Sequence, residues 1–250
     1  MELIKANLNL YAVLRNLEDL VKYDPEMAEL AADWDISLQF TVLKGPVAGV
    51  SFKNGECSVV RGRVKSPSVR LFFTSPAHLN KMFDNKANPI PLKGFTKLGF
   101  LMKDFPKLTE RLEYYLKPTD ELLKNKDYLE MNTRLTLNTA AYAVRELASL
   151  DSVGAVAARR IKDGVIQLLV SPGGPAVYIS FEGGSVKIEK AVHEKPMAVM
   201  EMKGLKTAND FLNGRIDSFS AVASGKVLIK GQISMLDEMG LILDRIPLYL

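Results

Sequence analysis

Between residues 7 and 22, Leu8, Leu10 or Tyr11, Leu14, Leu17 and Val21 recur at helical spacing and predict a helix with one apolar face. Leu135, Tyr142, Leu147 and Leu150 predict a second helix over 135–150. After each helix the period shortens to that of a strand, at Ile36 to Val42 and at Val165 to Val170, and a meander follows. Asn54-Gly55 and Gly183-Gly184 punctuate the two meanders, because these pairs supply the positive φ angles of tight hairpin turns. Strands over 68–74 and 197–203 then give way to helices near 75–85 and 204–213. In the second half, residues 224–231 predict a last strand, and the segment from Ser234 predicts a closing helix with Met235, Met239, Leu241 and Leu243 turned mostly inward. In the first half a longer, basic, proline-broken helical stretch over 95–117 stands in that place.

The two successions are one pattern written twice. At constant spacing Gly45, Pro46, Ser51, Phe52 and Gly55 fall on Gly174, Pro175, Ser180, Phe181 and Gly184, and Pro67 and Asn80 fall on Pro196 and Asn209. Leu8 and Asn9 fall on Leu137 and Asn138, and Leu92-Lys93-Gly94 matches Ile229-Lys230-Gly231 once the second half is allowed extra residues. Duplication explains this, with a boundary near Pro118 and Thr119, where a proline closes one helix and a capping residue opens the next. The expected domains are therefore 1–118 and 119–250. At 250 residues two ordinary cores are also the natural division of the chain.

Composition sets the class. Apolar residues make up 47% and charged residues 25%, the balance of a globular chain with a sizeable core. No apolar run reaches the roughly 18 residues that span a bilayer, and no basic-then-apolar leader follows Met1, so a cytoplasmic location is expected. Cys57, the single cysteine, has no internal partner for a disulfide. The net charge of +4 conceals an asymmetry, since residues 61–117 carry twelve Lys or Arg against four Asp or Glu. A basic segment of this kind attracts anionic surfaces. Its aromatic residues read as core rather than as stacking platforms, so nucleic acid is not an expected partner.

Catalytic patterns are missing. His78 and His193 are the only histidines, and neither belongs to a His-x-x-x-His or Cys-x-x-Cys pattern. Gly225-Lys226 lacks the earlier glycine and the following hydroxyl of a phosphate-binding loop. No catalytic residue, metal or cofactor is expected, and the chain reads as a non-enzyme.

The order of elements, the turn after Phe52 and Phe181, and the ending of the second half resemble the sterol carrier protein type 2 family. Leu212, Gly214, Ser224, Gly225, Lys226, Ile229, Gly231 and Met235 carry the resemblance at that ending. The first half departs from it, with Asn88-Pro89-Ile90-Pro91 where the Ser-Gly-Lys stretch should be. The resemblance implies an α+β fold of two tandem domains, each a mixed or mainly antiparallel five-stranded sheet covered by helices around an apolar tunnel. The tunnel walls implied are Tyr178, Phe181, Met200, Met202, Phe211, Phe219, Met235 and Met239 in the second half, and Phe52, Leu71, Phe73, Met82 and Phe83 in the first. Thioether side chains suit such walls because they are unbranched and polarizable. The expected partner is a lipid or another apolar small molecule, of fatty acyl, sterol-like or isoprenoid type, with peripheral contact between residues 61–117 and an anionic membrane. The alternative is a non-catalytic scaffold or interaction module in which the two halves form an internal pseudo-dimer.

Overall fold

Along Ile36–Val42 and Val47–Lys53 every second side chain is driven out of water, Gln39 and Gly49 being buried as well, and the two strands pair by backbone hydrogen bonds. The computed structural model describes all residues from Met1 to Leu250. The chain divides into two compact units, Met1–Tyr114 with Tyr249–Leu250, and Tyr115–Leu248, against an expected boundary near Pro118 and Thr119.

The first unit opens with α1 (Glu2–Leu8), a π turn over Asn9–Val13, a short 3-10 turn, α2 (Leu17–Tyr23) and α3 (Pro25–Ala31). The inward stripe is the predicted one, with Leu8, Leu10, Leu14, Leu17 and Val21 all buried. Strands β1 (Ile36–Val42), β2 (Val47–Lys53) and β3 (Glu56–Arg61) form a meander. Then come β4 (Val69–Phe73), α4 (Pro76–Phe83), β5 (Ile90–Lys93) and α5 (Phe105–Leu116). The sheet order is β3-β2-β1-β4-β5, with β1 and β4 parallel and the other pairs antiparallel.

The second unit repeats this plan. It comprises α6 (Lys126–Leu150), α7 (Ser152–Arg160), β6 (Gly164–Ser171), β7 (Ala176–Glu182), β8 (Ser185–Glu189), β9 (Ala198–Lys203), α8 (Leu205–Leu212), α9 (Ser218–Ala223), β10 (Val227–Gly231) and α10 (Ile233–Leu243). Its sheet runs β10-β9-β6-β7-β8, the same order read from the other edge, and again only the pairing of β6 with β9 is parallel. Both units are α+β, with five-stranded mixed sheets and helices. The hairpin turns fall where expected: Asn54 and Gly55 have φ of 53° and 75°, Gly183 and Gly184 of 54° and 78°.

Four local expectations change. Helix α6 begins at Lys126 rather than near 135, because Tyr128 and Met131 already face inward and Asn125 caps it through Asp127 N and Tyr128 N. Asn9 corresponds by its bonding to Asn132 and not to Asn138: Asn9 pairs with Asn80 at 3.0 Å, and Asn209 with Asn132 at 2.5 Å. Ser224-Gly225-Lys226 is the turn that ends α9, with Gly225 at φ 66°, and not the start of a strand. In α10 the buried stripe is Met235, Leu236, Met239 and Ile242, while Leu241 is exposed, as 3.6-residue spacing from Met235 requires.

Candidate apolar site

The helix-covered face of the second sheet is set by alternation. Ile166, Leu168 and Val170 from β6, Val177, Ile179 and Phe181 from β7, and Ala198 and Met202 from β9 are buried on it. Met200 and Ile229 face each other across β9 and β10 on the same side, yet both are only half-buried, whereas the flanking pair Met202 and Val227 is fully covered. The helix layer therefore leaves an apolar edge partly open. Helix α8 packs on β9 and α9 on β10, and Phe211, Leu212 and Ile216 from this quarter are half-buried as well.

Polar anchors hold the frame around that edge. Asn209 of α8 donates to Asn132 Oδ1 and, at 3.1 Å, to Thr133 Oγ1 of α6. Asp151 caps α7 through Val153 N and Gly154 N and accepts from Arg245 Nε, beyond the end of α10, at 3.1 Å. On the opposite face of the same strands, Glu201 accepts from Lys230 Nζ at 2.8 Å and Ser171 Oγ at 2.7 Å. These bonds, the Lys230 one foremost, hold its carboxyl below the usual carboxylate range.

Of the expected wall residues in this unit, Phe181, Met202, Met235 and Met239 are buried in the core and Met200 and Phe211 are half-buried. Two stand elsewhere. Phe219 is 84% exposed on α9, because Ala221 occupies that short helix's inward position. Tyr178 lies on the opposite face of the sheet from Phe181, since neighbours in a strand alternate, and there it meets the His193 ring edge-on at 5.0 Å. That face carries a cleft of about 410 Å³ lined by Tyr178, Val192, His193 and Lys195.

In the first unit the equivalent register places Leu71 opposite Phe40 and Phe73 opposite Val42, where the second has Met200 opposite Leu168 and Met202 opposite Val170. Aromatic rings fill this interior. Phe40 stacks on Phe73 at 6.3 Å, Phe73 meets His78, and Trp34 stands edge-on to Phe52 at 5.0 Å and to Phe100 at 4.9 Å. Phe52, Leu71 and Phe73 are buried, and Met82 and Phe83 are half-buried at the end of α4. A cleft of about 660 Å³ in this unit is lined by charged residues, Glu26, Glu29, Lys107, Glu110 and Arg111 among them, and not by the expected wall.

Sequence reasoning missed one matched pair of residues. Gln39 and Gln167 are buried on the uncovered sheet face, and each clamps the loop that crosses it. Gln39 donates to Ala48 O and Gly62 O and accepts from Val64 N; Gln167 donates to Val177 O and Ala191 O and accepts from His193 N. A glutamine within an apolar strand was the available signal. No group of three or more His, Cys, Asp or Glu side chains is placed to hold a metal ion, and no helix is long and apolar enough to cross a membrane.

No known family's profile matches the chain, and no curated protein does. Solved structures do. The likeness is to sterol carrier protein 2 domains, and it is one of fold. A domain from Helicoverpa armigera is 17% identical, covering 44% of this chain and 87% of its own length with a TM-score of 0.35. Sterol Carrier Protein 2 Like 2 from Aedes aegypti is 18% identical, covering 42% and 94% with a TM-score of 0.31. A ubiquinone synthesis protein described as UbiJ-SCP2 is 13% identical, covering 42% and 92% with a TM-score of 0.33.

Proposed function

We propose that the chain is a doubled sterol-carrier-like protein that handles lipid without catalysing a reaction, and that its second unit holds the ligand. The supporting observation is the half-buried pair Met200 and Ile229 on an otherwise buried sheet face, with methionines behind it and half-buried Phe211 and Leu212 on the neighbouring helix. Thioether and aliphatic walls re-pack around guests of different shape, and each buried methylene of a guest contributes about 0.8 kcal/mol. A fatty acyl, sterol-like or isoprenoid chain has the chemistry for such a wall. The first unit fills the matching space with its own rings, so its role in this reading is contact with an anionic membrane through the basic part, residues 61–117. Both histidines are bonded locally. His78 bonds to Thr74 through Nδ1 and to the Asn88 carbonyl through Nε2, and His193 accepts from Lys195 N.

Displacement of a fluorescent fatty acid tests the ligand site. The intact chain should take up the probe and release it to unlabelled lipid, and Ile229→Asp should weaken uptake about tenfold, because a carboxylate in that edge loses hydration on binding. Equal uptake by Ile229→Asp would move the site elsewhere, and no uptake by the wild type would leave the scaffold alternative.

A further inference from the structure

Apart from the terminal Met1, the three most exposed large apolar residues of the first unit lie in one short segment. Leu92 is 57% exposed, Phe95 62% and Met102 76%, and Ile90 and Leu98 are about two-fifths exposed. Strand β5 ends at Lys93, and Gly94, with a φ of 93°, turns the chain directly into a helical run, so the sheet edge and the helix meet at this point. Phe95, Leu98 and Met102 stand at i, i+3 and i+7, a single helical stripe. The run is anchored from another side, where Phe100 packs on Trp34 and on Phe105, and Leu108 and Leu112 are buried. A helix held by these contacts thus displays a phenylalanine, a leucine and a methionine to water.

Charge identifies what covers them. Lys93, Lys97 and Lys103 fall in this segment and Lys86 just before it, and no Asp or Glu occurs from Asn85 to Lys103. Lys97 and Lys103 are exposed, while Lys93 is tied to the Pro67 carbonyl. A second copy seated here by two-fold symmetry would bring lysine against lysine, which disfavours self-association. An apolar stripe flanked by unpaired cations is instead complementary to an anionic bilayer, where side chains enter the acyl boundary and ammonium groups meet phosphates.

We propose that residues 90–103 form a membrane-docking face, with Phe95, Leu98 and Met102 inserting into the interface and Lys97 and Lys103 engaging anionic headgroups. The inference rests on the membrane contact proposed above for residues 61–117, within which it names the face; docking itself needs no bound ligand.

Sedimentation of the full chain with vesicles tests it. The protein should bind vesicles containing phosphatidylserine, bind phosphatidylcholine vesicles weakly, and lose affinity as salt rises. Phe95→Asp with Met102→Asp should lower the partition coefficient about tenfold or more. Lys97→Ala with Lys103→Ala should lower it about fivefold for each lysine removed. All four side chains are exposed, so circular dichroism should be unchanged. A wild type that ignores phosphatidylserine, variants that partition like the wild type, or a concentration-dependent dimer abolished by the same substitutions would overturn the proposal. Fatty-acid displacement read on the same variants separates the two readings. Vesicle binding without displacement removes the ligand site alone, displacement without vesicle binding removes the membrane contact of residues 61–117 and its docking face together, and vesicle binding retained by the variants removes the docking face alone.

Discussion

Arg245 Nε donates to the buried carboxylate of Asp151 at 3.1 Å, tying the end of the closing helix to the start of α7. The first unit contains the same device: Asp24 caps α3 through Met27 N and accepts from Arg111 Nε at 2.7 Å. In each unit one fully desolvated aspartate does two jobs. Arg245→Met should destabilise the chain by about 2 kcal/mol, less than the roughly 3–5 kcal/mol of a fully buried pair because Arg245 is part-exposed and the cap bonds remain. Asp151→Ala removes the cap as well and should cost about 1 kcal/mol more. Urea titration monitored by circular dichroism checks both, and a change within about 0.5 kcal/mol for either substitution would contradict this role.

The buried glutamines make a prediction of another kind. Gln39→Leu leaves Gly62 O and Val64 N without their side-chain partner, and Gln167→Leu does the same to Ala191 O and His193 N. Each should cost about 1–3 kcal/mol. Hydrogen exchange should speed up locally, over 62–66 in one case and 191–195 in the other. Uniform acceleration across the whole sheet would show that the loss is global and that the loops are not held by this clamp.

Much of this frame was legible in the chain. Strands and hairpin turns could be read because alternation and Asn-Gly or Gly-Gly pairs are local signals. The start of α6 could not, because Asn132 and Thr133 are buried polar residues whose partner, Asn209, lies on a distant helix. For the same reason the correspondence of Asn9 with Asn132 is visible only through their bonds to Asn80 and Asn209. At the candidate site, the methionines of β9 and α10 were readable from strand and helix period. The sheet face of Tyr178 follows from alternation once the strand's register is known. The exposure of Phe219 depends on how little of a six-residue helix can be buried when Ala221 takes the inward place.

Acidification should weaken the second unit's sheet edge. Glu201 is charged and bonded in the fold, so its carboxyl is depressed below the roughly 4.3 of an unfolded glutamate. A depressed carboxyl stabilises the fold above the unfolded value, and that contribution is lost as pH falls through the folded value. The part-exposed pair should contribute about 0.5 kcal/mol. Thermal unfolding of Glu201→Gln should therefore differ from wild type near neutrality and converge with it in acid. A difference that persists unchanged below both values would count against this assignment.

Trp34, the chain's single tryptophan, stands between Phe52 and Phe100 and so reports on the helix that carries the exposed apolar stripe. Phe100→Ala should shift its emission to longer wavelength as water reaches the indole, and should cost about 3 kcal/mol or less, since Phe100 is only half-buried. Unchanged emission would mean that the two rings are not in contact in solution.

Native mass spectrometry of the intact protein, purified from cells without detergent, tests the carrier account most directly. A lipid carrier should show a population heavier than the bare chain by the mass of one acyl, sterol or isoprenoid molecule, lost in Ile229→Asp. Bare chain alone, with no adduct formed after incubation with fatty acid, would contradict it.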